Sequence, residues 1–578
     1  MIPQSFLLAV PIGWKGRDGV EMAEHPAEVR SANPRLWLGA GTRLMALEWG
    51  AQIIGPLFQR GRSGLVDARG DGLPARGSPS KIANWLSREC WGAYLAILPG
   101  HDDGGPAIFI DPSGLLPVYR FLGRTHVLIA SEARLFAQAG AGQPAIDWAT
   151  LGAHLCWPEL RQAATCLAGV DELTPGTLYH PAYPAKSPQA VWRPQDFMPA
   201  GPAPDFREAA GALRSCSQEI VGAWADLAGP VVVAASGGVD SSLICAALAL
   251  GGHPFSCITL ATADPSGDER VFVEALADHL GVAMVAGIYE PASVDLTQSA
   301  SAGLPSPSRR TLALAIDAEL DKARCELGAN AIFDGNGGDS LFCFLHSAAP
   351  VVDRLQAEGM LAAWPTLRDM CTVTGADLPT MLKAMWRRMR RKTRPDRWPA
   401  DWRMLANVSE NTHLPSALTP WFDVDVGIHG GKHDHLALIM RAQNHIHGLD
   451  VVRVPRFSPL MSQPLVELCL SLPTWLWCSG GINRALARAA FADVLPKEVL
   501  RRTSKAGPDS FLRHLFAQNR AQIRATVLDG HLARNALLGR EAVEAAMATD
   551  TLSSDAVAYR LLDLCEAEAW VTSWIGQG

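Results

Sequence analysis

The chain has 578 residues, 48% hydrophobic and 19% charged, with a formal net charge of −7. That balance is ordinary for a globular protein and argues against a general nucleic-acid binder. Length alone predicts two to four domains, roughly one per 150 residues. No run of about 18 apolar residues escapes a charge or a breaker, so neither a membrane span nor a membrane partner is expected. The N-terminal "MIPQSFLLAVPIGWKG" has no basic n-region and no small-residue cleavage site. Twelve cysteines are scattered without a CxxC pair or a Cys/His cluster at metal spacing. They read as buried thiols of a cytoplasmic protein rather than bridges or zinc ligands.

In chain order, short apolar runs at Tyr94–Leu98, Ala107–Ile110 and Val127–Ala130 are separated by Gly, Pro and Asp turns. They predict a strand-rich N-terminal domain. The proline-rich stretch His180–Phe206 reads as an interdomain linker. The predicted boundaries are 1–185 for the first domain, 186–206 for the linker and 207–578 for the second domain. Beyond the linker, strands and helices alternate. Val231–Ala235 is a strand, "DSSLICAALAL" a helix, and Phe255–Thr262 a second strand. Helix Asp268–Leu280, strand Val282–Ile288, helix Arg309–Leu327 and strand Ala331–Asp334 follow. This alternation implies a doubly wound parallel sheet, which binds ligands beyond the carboxyl ends of its strands. From about Val351 the chain reads mainly helical. The basic run Lys383–Arg394 reads as a solvated helix face, with a docking patch for an acidic peptide or partner protein as the alternative.

Two loops carry the chemistry. "SGGVDSS" (Ser236–Ser242) follows a buried strand and opens a helix, so its backbone N–H groups and the helix dipole favour an anion. On glycine count alone it would be an ordinary tight turn. "DGNGGDS" (Asp334–Ser340) follows another buried strand and again pairs glycines with an aspartate. Both lie at strand carboxyl ends, so Asp240 and Asp339 are expected to converge as a Mg²⁺ site, with phosphate oxygens completing the coordination. No GxxxxGK[ST] is present, which points to pyrophosphate leaving from an α-phosphate rather than a transferred γ-phosphate.

"SGGVDSS" resembles the pyrophosphate loop of the ATP-pyrophosphatase group, and together with "DGNGGDS" it resembles the synthetase domain of asparagine synthetases. Three further segments match in order: "FSCITL…DERVFVEALADHLG", "VVRVPRFSPL" (Val451–Leu460) and "INRALARAAFADVLPKEVLRRTSKAG" (Ile482–Gly507). The resemblance covers roughly residues 206–510. It implies ATP and Mg²⁺ as cofactors, phosphate contacts from Ser236, Gly237, Gly238, Ser241, Ser242 and Gly335, and adenine near Ile258. It also implies metal binding by Asp240 and Asp339, and charge stabilisation by Lys505, with Arg453 and Arg484 as secondary residues.

Earlier segments, "WGAYLAIL", "DPSGLLPVY", "IASEARLF" and "LTPG", resemble the family's glutaminase domain. The expected fold class is therefore α/β. A glutaminase-like (Ntn-type) strand-rich α+β domain precedes a doubly wound parallel-sheet synthetase domain with added helices. The glutaminase nucleophile is a cysteine at position 2, whereas this chain has Ile2 and its first cysteine is Cys90. The amidase is expected to be dead.

That loss resembles two branches, the β-lactam synthetases and the lasso peptide cyclases, and the G-N-G-G-D form of Gly335–Asp339 favours the second. Asparagine synthetases carry a base-forming glutamate where this chain has Asn336. A peptide α-amine, with pKa about 7.7–8.0, is roughly one quarter neutral at pH 7.4 and needs less help from a base; Glu269 or a substrate group is the alternative base. The resemblance thus implies macrolactam formation on a linear core peptide, with a leader peptidase and a leader-recognition protein as partners. A β-lactam-type or ammonia-fed amide ligase, or a binding-only homologue, are the alternatives.

Overall fold

In the computed structural model, the described residues are 4–15, 20–62, 64–66, 73–74, 77–100, 104–198, 202–261, 268–288, 290–390, 398–406, 421, 430–448, 454–502, 509–548 and 555–576. The N-terminal unit holds two six-stranded sheets. Its strands include β1 (Phe6–Pro11), β2 (Leu95–Leu98), β3 (Ala107–Ile110) and β4 (His126–Ala130). β1 pairs antiparallel with β4 in one sheet, and β2 with β3 in the other. Period-two alternation sorts the side chains. Phe6, Leu8 and Val10 face Leu95, Ile97, Ile108 and Ile110 in the core between the sheets. Leu7 and Ala9 turn outward to a second core with Leu151 and Leu155. Each such aliphatic residue stabilises by roughly 1.5–3 kcal/mol when fully buried. Helix α1 (Pro79–Glu89) covers the outer face of the second sheet through Ile82, Ala83 and Leu86. The strand-rich α+β unit is as expected.

The segment expected as a linker is built into the fold through Met198. Gln189–Ala190 adds a strand beside Thr177–Tyr179. Trp192 is buried, packs against Trp421 with ring centroids 5.0 Å apart and planes tilted by 52°, and donates its indole N–H to Glu467 at 2.7 Å. Proline content signals an irregular backbone but not a solvated one, and Trp192 has enough apolar surface to anchor this segment.

Helix α2 (Phe206–Ala228) opens the second unit, its N-cap Asp205 accepting from the amides of Arg207 and Glu208. Then follow β5 (Val231–Ala234), α3 (Val239–Gly251), β6 (Phe255–Ala261), α4 (Arg270–Leu280), β7 (Met284–Ile288), α5 (Ala313–Glu326), β8 (Ala331–Asp334) and the short α6 (Gly338–Leu341). Later elements are α7 (Met360–Thr374), α8 (Leu378–Arg390), α9 (Gly430–Ile446), β9 (Arg456–Phe457), α10 (Gln463–Ser471), α11 (Ala485–Ala490), α12 (Asp509–Asp529) and α13 (Asp555–Ile575). The sheet runs β7-β6-β5-β8-β9, all parallel. The order reverses between β5 and β8, where such sheets place their ligand crevice. Register pairs Ala234 with Asp334, so both glycine loops leave the sheet side by side. The two-residue strand β9 is too short for periodicity to reveal. Among the described residues, no helix is long and apolar enough to cross a membrane.

Candidate active site

The first loop is held by its own hydroxyls. The Ser236 amide donates to the Ser241 hydroxyl at 3.2 Å, and the Gly238 amide to the Ser236 hydroxyl at 3.4 Å. Gly237 has φ +65°, and a Cβ there would lie 2.3 Å from Phe272 Cβ, so both backbone and packing demand glycine. Glu269 and Arg502 brace this loop from outside. Arg502 donates to the Ser236 carbonyl at 2.5 Å and to Glu269, and its guanidinium lies 4.2 Å from the Phe272 ring centroid. Glu269 is thus held in an ion pair rather than offered as a base.

Glycines in the second loop serve close approach. A Cβ on Gly335 would lie 2.7 Å from the Ser241 amide nitrogen, and one on Gly338 would lie 2.5 Å from Asp240 Cγ. The loop therefore packs directly on the first turn of α3. Asp334, at the end of β8, accepts from Arg456 at 2.6 Å, from Ser458 at 2.8 Å and from the Asn336 amide at 3.1 Å. Arg456 also donates to Asp317 at 2.5 Å. Burial opposes the Arg456 charge, but Asp334 and Asp317 outweigh it and hold its pKa above the ordinary value.

Asp240 and Asp339 meet at one cation. Arg484 Nη1 donates to Asp240 Oδ2 at 2.8 Å and to Asp339 Oδ1 at 2.5 Å. Arg484 precedes α11 with φ +54°, is buried, and lies 5.2 Å from the Phe344 ring centroid. Two carboxylates that converge on a single guanidinium nitrogen form a donor set suited to a divalent cation with phosphate oxygens as its other ligands. The residues fit magnesium, and the guanidinium occupies the position where positive charge is wanted.

A cavity of about 700 Å³ opens over this pair and is lined from both units. Ser236, Asp240, Ser241, Gly335, Asn336 and Asp339 form one wall. Tyr119, Arg161 and Glu172 of the N-terminal unit also line it. There Arg161 pairs with Glu172 (Nε–Oε1 2.8 Å) and donates to His447 Nδ1 at 2.8 Å, while Tyr119 lies 2.7 Å from His447 Nε2. Burial, followed by Arg161 and Arg310, pushes the His447 pKa well below its ordinary value. The neutral ring accepts at Nδ1, so its proton is on Nε2 and points to the Tyr119 oxygen.

Some expected contacts fall elsewhere. Ser242 is wholly buried in α3 and does not line the cavity, and its hydroxyl is a buried oxygen without a protein partner among the described residues. The Ile258 side chain packs in the core with Val232, Leu320 and Ile332 and does not line the cavity, so it makes no side-chain contact with an adenine there. Gly237 and Gly238 shape the loop without lining the cavity. Lys505, Arg453 and Ile2 lie outside the described residues. Sequence reasoning missed the bridging role of Arg484, the Asp334–Arg456 pair and the whole N-terminal wall; only the position of Arg484 inside a matched segment signalled it.

The N-terminal unit offers no accessible thiolate among its described residues. Cys90, Cys156 and Cys166 are all buried. Burial is the first cause pushing their thiols up, to about 12, 11 and 12.

A family model described as asparagine synthase matches residues 218–572. No curated protein matches the chain. Among solved structures, a glutamine phosphoribosylpyrophosphate amidotransferase from B. subtilis, complexed with ADP and GMP, is 11% identical over 57% of this chain and 84% of its own, with TM-score 0.18. A structure described as the allosteric regulatory enzyme of purine biosynthesis is 12% identical over 57% and 83%, with TM-score 0.18. Likenesses at that TM-score carry no functional argument.

Proposed function

We propose that this chain, which belongs to the asparagine synthase family of ATP-dependent amide-forming ligases, closes a macrolactam ring within a ribosomal peptide. The observation that carries the reading is the meeting of Asp240 and Asp339 on Arg484, at the switch point of the sheet and beneath a cavity shared with the N-terminal unit. An Asp or Glu side-chain carboxylate of the peptide attacks the α-phosphorus of ATP. The bond to pyrophosphate breaks and an acyl-adenylate forms. The peptide's N-terminal amine then attacks the acyl carbon, the bond to AMP breaks, and the amine's proton is released to solvent. Asp240 and Asp339 would hold a magnesium ion, which neutralises phosphate charge when bound. Ser236 and Ser241 border the cavity where pyrophosphate would leave. Lys505 is proposed to stabilise the tetrahedral intermediate, a contribution of about 3 kcal/mol for one aimed donor.

Two features support an internal amine over ammonia. Asn336 provides no carboxylate base at the cavity. The buried thiols of the N-terminal unit provide no route to ammonia from glutamine. A core peptide, a leader peptidase and a leader-recognition protein are the proposed partners, in the cytoplasm. Mass spectrometry of a linear core peptide incubated with the protein and Mg-ATP tests the proposal. Loss of one water with stoichiometric AMP supports it. Asparagine formed from aspartate and ammonia, with every peptide left linear, overturns it.

A further inference from the structure

Independently of that reading, the α7–α8 hairpin carries an apolar, cationic face turned away from the protein. Its inner face is accounted for: Ala363, Leu367, Met370, Met381 and Met385 pack with Val351, Val352 and Cys478. Its outer face is not. Of the fourteen exposed large apolar side chains among the described residues, seven lie on this hairpin. Met360 and Leu361 are 79% and 94% exposed at the start of α7, with Trp364 one turn on. On α8, Leu378, Leu382, Trp386 and Met389 recur every three or four residues and form one exposed stripe.

Cations run beside that stripe. Lys383, Arg387 and Arg390 are exposed at i, i+4 and i+7, and the Arg390 guanidinium lies 4.0 Å from the Trp386 ring centroid. Arg388 is engaged inward, donating to the Gly430 carbonyl at 2.7 Å and pairing with Asp434 at 2.7 Å. Between Met360 and Arg390 the sequence has five cations (Arg368, Lys383, Arg387, Arg388, Arg390) and two carboxylates (Asp369, Asp377), against a net −7 for the chain. Asp377 is itself engaged, accepting from the Thr380 amide at 3.0 Å.

We infer that this hairpin lies against an anionic lipid surface. Apolar and tryptophan side chains beside lysine and arginine are the chemistry of an interfacial helix, and juxtaposed cations draw it to acidic headgroups. A second copy of this chain would bring like charges face to face. Leu361, almost wholly exposed, stands proud of the surface, and a bilayer receives such a side chain without needing a matching pocket. The expectation of no membrane partner rested on the lack of a span, which a surface-lying hairpin does not need.

The test is co-sedimentation of the full chain with phosphatidylcholine vesicles, with and without phosphatidylglycerol. Wild type is expected to sediment only with the anionic vesicles and to be released by salt. Each cation among Lys383, Arg387 and Arg390 replaced by Gln weakens binding about fivefold. Leu361→Ser with Trp386→Ser weakens it at least tenfold, because two inserted groups are lost. All five positions are exposed, so an unchanged melting temperature accompanies these losses. Equal binding to both vesicle types, or none at low salt, overturns the inference. So does self-association in vesicle-free ultracentrifugation that the same substitutions abolish, or stoichiometric capture by a purified acidic protein without any vesicle binding.

Discussion

Replacing Gly338 by alanine tests whether the packing of one loop on the other aims Asp240. The added Cβ would lie 2.5 Å from both Cβ and Cγ of Asp240 and 2.8 Å from its Oδ1. Carbon atoms prefer about 3.5 Å or more, so the carboxylate or the loop must shift by about 1 Å. Gly338 is not among the residues with positive φ, so alanine is otherwise welcome in α6 and the perturbation is confined to that contact. A misplacement of about 1 Å costs on the order of a hundredfold in rate. The assay is Mg-dependent ATP–pyrophosphate exchange with the carboxylate substrate, alongside a thermal melt. Exchange is expected to fall about a hundredfold, while overpacking costs about 1–3 kcal/mol of stability. Gly211→Ala, with nothing within 4 Å of the added carbon, is the control and leaves exchange unchanged. Folded Gly338→Ala exchanging at the wild-type rate would refute the argument.

Arg484→Gln leaves Asp240 and Asp339 facing each other without their shared cation. Stability is expected to drop by about 3 kcal/mol, and added Mg²⁺ should recover part of it in a thermal melt; a melt indifferent to both changes counts against a cation site. Burial lowers the His154 pKa to about 4, while its Nε2–H donates to the Pro307 carbonyl at 2.9 Å. Unfolding lets this group bind a proton below pH 6.5, so its contribution is intact above that pH and is lost as pH falls toward 4. The stability of wild type relative to His154→Gln is then expected to decline by about 1.4 kcal/mol per pH unit through that window. Urea titrations at several pH values check it, and a constant difference refutes a buried neutral ring. Trp192→Ala removes a buried indole and its bond to Glu467, and should cost about 3–5 kcal/mol; a change below 1 kcal/mol in urea unfolding would restore the view of that segment as a free linker.

Four of the five strands of the parallel sheet, β5 to β8, were legible because each is a short apolar run bounded by turn residues, and Ala331–Asp334 matches to the residue. Convergence of the two aspartates was inferable from their places after buried strands. What aims them was not. Arg484 reaches Asp240 across 244 positions and Asp339 across 145, and it does so from a left-handed backbone position that no local pattern announces. Ser242 was not placed by pattern because α3 is buried almost all round, so hydrophobic period cannot say which side faces a ligand. The core position of the Ile258 side chain was hidden for a related reason: in a sheet covered on both faces, a strand residue is apolar whether it meets a ligand or a helix. The linker misled because proline content reports backbone regularity and Trp192 reports burial, and only the second determines whether a segment packs.

Tyr119, Arg161 and Glu172 reach the chamber from a unit whose cysteines are all sealed away. The strand-rich unit therefore supplies part of the lining of that chamber, and removing it would open the cavity. Tyr119, Arg161 and Glu172 are buried and joined through His447, so this part of the lining is built as one rigid cluster. A perturbation anywhere in that cluster is then felt at the chamber, although its residues lie far from the two glycine loops in the chain.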